Sequence, residues 1–196
     1  MDFTEIMKQK IDYCSRHTDM PMELQQKAKK LCWEYNRTSP EEKEERSRIL
    51  KKLLGTYNTL VFIEPSFRCD YGFNIHTKGF TFINYNCVIL DTSPVNIGKG
   101  VFIAPGVCIA CSGHAIHPRQ RDEGIGTSKP ITIEDNVWIG ANSTVCGGVT
   151  IGEGSIIGAG NVVNKDIPEG VIAVGNPCRV LRKITDEDLV KLYSNM

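Results

Sequence analysis

From Ile97 onward, aliphatic residues recur at every sixth position, a period that neither a helix nor a half-buried strand produces. The series runs Ile97, Ile103, Ile109, then Ile133, Ile139, Val145, Ile151, Ile157 and Val163. A small residue usually follows each, as at Gly98, Ala104, Gly140 and Gly152. Three positions after each aliphatic except Ile109 stands Gly100, Gly106, Asn136, Asn142, Gly148, Gly154, Gly160 or Asp166. Repetition at fixed spacing is the signature of a solenoid, and a six-residue unit is that of a parallel β-helix. Each unit reads as one short strand plus a corner. The branched side chain fills the axis of a prism, stacked on its equivalents in adjacent coils. Gly, Asn and Asp tolerate positive φ, which puts a tight turn at every corner. A β-sandwich with glycine-rich turns is the competing reading, but it requires alternation and irregular loops.

The pattern breaks once. Ile109 and Ile133 differ by 24, a multiple of six, so the repeat resumes in phase after CSGHAIHPRQRDEGIGTSKP. That polar, Gly- and Pro-containing segment reads as a loop over 111–130 thrown out from one corner, and long loops on rigid scaffolds carry function. Two of the four histidines lie in it. Residues 60–95 read as further, less regular coils, and the coil body spans 58–184. Residues 1–57 carry helix signals instead. Leu24, Ala28, Leu31, Cys32 and Tyr35 share one helical face, with Asp19 and Pro21 at cap and first-turn positions. Ser39, Pro40 and Glu42 predict the capping box of a second helix that ends at Gly55. Thr185 opens a predicted short helix over 185–196 that caps the end of the prism.

Composition narrows the function. Lys plus Arg and Asp plus Glu both number 23, so net charge gives no reason to expect nucleic-acid or anionic-membrane binding. The N-terminal stretch is charged throughout, with no apolar core of a secretory signal, and no apolar run is long enough to span a bilayer. The expectation is therefore a cytoplasmic protein whose eight cysteines are mainly reduced and packed.

WEYN (33–36), FRCDYGFNI (67–75), FINYNCVILD (82–91), SGHAIH (112–117), PITIEDNVWIGANSTV (130–145), IGAGNVVNKDIP and VGNPCRVLRKI (within 157–184) together resemble the hexapeptide-repeat sugar O-acetyltransferases of the maltose and galactoside acetyltransferase family. The resemblance implies a left-handed parallel β-helix, a hand the repeat alone does not give. It also implies a homotrimer with active sites between subunits, acetyl-CoA as co-substrate, no required metal and a hydroxyl acceptor. His114 aligns with the catalytic base of the family. A sugar hydroxyl is a poor nucleophile, and an imidazole titrates near working pH. Asn84 matches the position that stabilises the transition state, where a donor meets the oxyanion forming on the thioester carbonyl. Asp70 and Asp91 match the acceptor-holding region, although corner-capping Asx roles compete for both. The acidic contact that the family draws from its N-terminal element usually lies close after a Tyr or Phe; here Tyr13 is followed by Cys14 and Ser15, with Asp12 before it and Asp19 beyond. For CoA the resemblance implies Trp138 as an apolar wall, Ala141 and Ala159 as small residues admitting the ligand, and Asn164 and Lys165 near the adenine. Arg179 and Arg182 would meet the phosphates. Relatives acting on antibiotics usually lack the long N-terminal element, which favours a sugar acceptor. The alternative on the same architecture is a zinc enzyme of the β-helix carbonic anhydrase type using His76, His114 and His117. Cys108-x2-Cys111-x2-His114-x2-His117 is weighed with it, but Cys108 and Cys111 straddle a strand and its corner. A scaffolding solenoid without chemistry is the third class.

Overall fold

The computed structural model describes residues 2–191. The six-residue units form three parallel sheets wound into one solenoid. The first sheet stacks Ile75–Thr77, Val95–Ile97, Ile131–Ile133 and Thr150–Ile151. The second runs from Val61–Ile63 through Thr81–Ile83, Val101–Ile103, Trp138–Ile139 and Ile156–Ile157 to Val171–Val174. The third stacks Arg68–Cys69, Val88–Leu90, Cys108–Ala110, Thr144–Cys146 and Val162–Val163. Every rung between successive coils is parallel.

The register states the repeat in backbone terms. Thr132 pairs with Thr150, one coil of three hexapeptides further on. Across the loop Asn96 pairs with Thr132, so the insertion adds the length of one whole coil without shifting the ladder. The earlier coils are longer, with Phe62, Phe82 and Phe102 in register at steps of twenty, which is why residues 60–95 look less regular. All nine aliphatics of the series are at most 1 % exposed. At roughly 25 cal/mol per Å² of apolar surface, this axial stack is the main favourable term for the solenoid. Corners turn where predicted: Asn136 and Asn142 have φ of 59° and 56°, and Gly100 and Gly106 both 71°. The two residue types alternate for a steric reason. Asn136 stacks on Gly100, and a Cβ at Gly100 would lie 2.4 Å from the Asn136 Oδ1. Asp166 departs from the pattern: its carboxylate instead accepts the Thr150 N–H at 2.7 Å.

The N-terminal region is mixed rather than purely helical. Helix α1 (Phe3–Met7) is followed by a strand, Tyr13–Arg16, and then by α2 (Met22–Tyr35) and α3 (Lys43–Leu53). The predicted cap at Ser39 is displaced: α3 begins at Lys43, because Ser39 to Glu42 close a separate turn with the Glu42 carboxylate accepting the Ser39 N–H at 2.7 Å. Lys51 and Lys52 lie in the last turn of α3, where they complement the helix dipole. The two helices cover the first coil. Asn36 clamps Phe67 by donating to its carbonyl at 2.9 Å and accepting its N–H at 2.8 Å. Tyr35 O–H and Arg46 both donate to the Ile63 carbonyl.

At the other end Arg179–Lys183 pairs antiparallel with Val171–Val174, reversing the chain across the last coil. The predicted terminal helix over 185–196 appears within the described residues as one 3-10 turn, Asp186–Asp188; positions 192–196 lie outside them. Among the described residues no helix is long and apolar enough to cross a membrane.

Candidate active site

The inserted loop is itself structured. Cys111 leaves the third sheet, and Ser112–His114 then pairs antiparallel with Ile125–Ser128, with His114 opposite Gly126. The helical turn α4 (Pro118–Asp122) joins them, its start favoured by Pro118 in the first turn. The other edge of Ile125–Ser128 is taken by Tyr13–Arg16, with Tyr13 opposite Ser128. The N-terminal strand and the loop, far apart in sequence, therefore make one three-stranded sheet. Below it the corner Asp91 to Ser93 closes a pocket of about 330 Å³, lined by Tyr13, His17, Thr92, His114, Arg121 and Ser128 among others.

The pocket floor is a closed hydrogen-bond network. Ser128 Oγ bonds both Thr92 Oγ1 and Ser93 Oγ at 2.6 Å. Tyr13 O–H donates to the Thr92 carbonyl at 2.6 Å, and Cys111 Sγ to the Ser93 carbonyl at 3.4 Å. Burial raises the Tyr13 phenol and pushes the Cys111 thiol up to about 12, so both stay neutral at pH 7. His114 stands above this floor on a strand pinned on both edges of its partner. Among the described residues its ring has no hydrogen-bond partner, leaving both nitrogens free for a ligand.

Asp91 is a correction. Matched to the acceptor region, it is instead fully buried, and its carboxylate accepts the N–H groups of Asp70 (3.1 Å), Tyr71 (2.8 Å) and Asn74 (3.3 Å). Desolvation lifts it to about 7, against the lowering effect of those donors. It braces the corner that carries Thr92 and Ser93, which is the competing Asx role. Asp70, half-buried and raised by desolvation, accepts from Gln25 Nε2 at 3.3 Å. It opens onto a different recess, of about 590 Å³, between α2 and the third sheet. Asn84 stands at a corner outside the His114 pocket; its Oδ1 accepts the Tyr85 N–H at 2.8 Å, which leaves its amide N–H₂ as a donor.

The residues matched to CoA fall along the later coils. Trp138 is 50 % exposed, between Phe102 and Ile156 on the outer face of the second sheet. Ala141 and Ala159 meet at the next edge, where the Gly160 N–H donates to the Ala141 carbonyl at 2.8 Å. A Cβ on neighbouring Gly140 would lie 2.6 Å from the Ala159 nitrogen, so at this edge successive coils stack backbone on backbone with no room for a larger residue. Arg179 Nη1 reaches Asn164 Oδ1 at 3.3 Å, and Lys165 is exposed beside it. Arg182 is not open as expected: both its Nη atoms fork onto Asp188 at 2.8 and 2.6 Å. Exposed pairs of this kind are weakly held.

Within one chain the histidines of the zinc alternative do not converge. His76 lies in the first sheet opposite Asn96, with its pKa lowered by burial; Cys111 is committed to Ser93, and His117 precedes α4. Among the described residues no three His, Cys, Asp or Glu side chains come together to hold a metal. Sequence reasoning missed Tyr13, His17, Thr92, Arg121 and Ser128 as pocket residues. His17 and Arg121 were visible as residue types, but the pairing that brings them together was not.

Comparison with known proteins fits this arrangement. Residues 130–165 match the bacterial transferase hexapeptide (six repeats) model, and residues 13–58 the maltose acetyltransferase hexapeptide capping motif. The galactoside O-acetyltransferase of Escherichia coli is 43 % identical over 174 residues, covering 87 % of this chain and 86 % of that protein. The crystal structure of a maltose O-acetyltransferase from Clostridium difficile superposes with a TM-score of 0.87 at 40 % identity, covering 95 % of this chain and 99 % of that one. A hexapeptide-repeat acetyltransferase of Vibrio cholerae, solved with acetyl coenzyme A, superposes with a TM-score of 0.87 at 35 % identity, covering 95 % and 100 %.

Proposed function

Because this chain belongs to the maltose and galactoside acetyltransferase family of hexapeptide-repeat proteins, we propose that it moves the acetyl group of acetyl-CoA to a sugar hydroxyl with His114 as general base. It is an acetyl-CoA-dependent acetyltransferase; the acceptor and the residue roles are the proposal. The observation that carries the assignment of the base is His114 itself, set on a braced strand at a pocket wall with its ring unengaged.

In this mechanism the imidazole takes the hydroxyl proton as the acceptor oxygen attacks the thioester carbonyl. Charge then collects on the carbonyl oxygen, and the Asn84 amide N–H₂ is the donor that meets it. Collapse of the tetrahedral species breaks the C–S bond. The imidazolium returns its proton to the departing CoA sulfur, and the base is regenerated.

Asn84 and His114 do not share a pocket within one chain, which supports a homotrimer in which one subunit's Asn84 faces a neighbour's His114. The exposed row Phe62, Phe102 and Trp138 on the second sheet supports the same reading, since large apolar faces mark contact surfaces. Trp138, Ala141, Ala159, Asn164, Lys165 and Arg179 are the proposed CoA path, with Arg182 joining once released from Asp188. A cytoplasmic location suits a chain that uses acetyl-CoA.

The test is thiol release from acetyl-CoA over a panel of sugars. His114→Ala is expected to lower kcat by about 10²- to 10⁴-fold with the KM for acetyl-CoA unchanged. A His114→Ala protein that keeps the full rate would refute the assignment.

A further inference from the structure

We propose that the acceptor seated against His114 carries an anionic substituent, a phosphate or a carboxylate, bound by Arg121 and His17. This rests on the acetyl-transfer reading and names the substrate class within it.

Arg121 gives the pocket its one permanent charge, with His17 and His114 beside it, and among the described residues the lining that this chain supplies includes no carboxylate and no side-chain amide. A neutral sugar presents several hydroxyl protons and calls for acceptors to receive them. Most of the hydroxyls that line this pocket are already spent. Thr92 and Ser128 bond each other, Tyr13 donates to the Thr92 carbonyl, and Ser15 Oγ points to Met20 Sδ at 3.4 Å. Ser112 and Thr127 are the remaining hydroxyls of the lining.

Arg121 is built for an anion. Its Nη1 donates to the carbonyls of Ala115 at 2.9 Å and Ile116 at 2.6 Å, which fixes the plane of the guanidinium. The Nε and Nη2 donors have no partner among the described residues. A fork held in this way binds phosphate or carboxylate with little further loss of side-chain freedom. His17 is seated with equal definition. Its backbone N–H donates to the Gly124 carbonyl at 2.9 Å, and the Gly124 N–H to the Arg121 carbonyl at 2.9 Å. Gly124 has a φ of +73°, and a Cβ there would fall 2.1 Å from His17 Nδ1, so the ring lies where only glycine leaves room. The acidic groups nearby are otherwise engaged or face elsewhere. Asp19 accepts the Arg16 N–H at 3.0 Å, Asp12 pairs with Lys129 at 2.9 Å, and Asp122 and Glu123 lie on the α4 turn outside the lining.

The experiment compares matched acceptors with the full-length protein: glucose, glucose 6-phosphate and glucuronate, and the galactose equivalents, scored by thiol release at saturating acetyl-CoA. The charged members are expected to exceed their neutral parent at least tenfold in kcat/KM, and the better of the two charged forms identifies the anion. In Arg121→Gln and in His17→Gln, that charged-to-neutral ratio is expected to fall towards one. Neutral sugars turned over as well as their charged partners would overturn the proposal while leaving acetyl transfer standing. So would a ratio that both variants leave unchanged. Absence of thiol release with every acceptor would instead overturn the transfer reading, and this proposal with it.

Discussion

Replacing Asp91 by Asn tests whether a buried carboxyl braces the floor of the His114 pocket. Asp91 is fully buried, and desolvation lifts its pKa from 3.8 to about 7. Between those values the folded chain holds a proton that the unfolded chain has released, so this group's contribution to stability falls as pH rises through that window. Below pH 4 both states are protonated and the contribution vanishes. Above pH 7 the full cost of the buried charge is present. The difference between 3.8 and about 7, at 1.36 kcal/mol for each pH unit, makes that cost at most about 4 kcal/mol. An amide has nearly the same shape and never ionises. It keeps one oxygen for the Asp70 and Tyr71 N–H groups and loses the longer bond from Asn74, a fixed penalty of about 1–3 kcal/mol at every pH. The informative quantity is therefore the difference in unfolding free energy, Asp91→Asn minus wild type, from urea titrations between pH 4 and 8 at one protein concentration. That difference is expected to move in favour of the variant by up to about 4 kcal/mol as pH rises, with most of the change between pH 4 and 7. A flat difference across the range would show that Asp91 is ionised throughout and that its three backbone donors outweigh burial.

Two other substitutions probe the packing. Ile139→Ala empties a fully buried place in the axial stack and is expected to cost about 2–5 kcal/mol by urea unfolding, with Ile139→Val costing about 0.5–1.5. Tyr13→Phe removes the 2.6 Å bond to the Thr92 carbonyl and is expected to cost about 1 kcal/mol. It should also raise the acceptor KM while leaving the KM for acetyl-CoA in place.

The coil body was legible because its determinants are local and periodic. An aliphatic every six residues and a positive-φ residue three further on leave few alternatives, and Ile97 to Val163 lie inside as that rule requires. The strand Tyr13–Arg16 was not legible, because four residues with no clear period become a strand only by pairing with Ile125–Ser128 far along the chain. Ser39 fitted a capping box by residue type, yet its contact with Glu42 is also that of a free-standing turn, and the helix starts after it. Asp91 shows the limit of motif matching: position suggested a ligand contact, whereas burial and three backbone donors make it a brace. His114 emerged from the motif around it, and Arg121 only from the fold.

The reversed strand Arg179–Lys183 has a consequence for solubility. A parallel solenoid is an open-ended template, because each rim offers a row of backbone groups on which another coil can grow. Laying the final segment in the opposite direction, with Arg179, Arg182 and Lys183 along it, covers the last parallel edge of the second sheet with a charged strand. At the other end α2 and α3 are held on the first coil through Asn36 on Phe67 and Arg46 on Ile63, which shields that edge from a further coil.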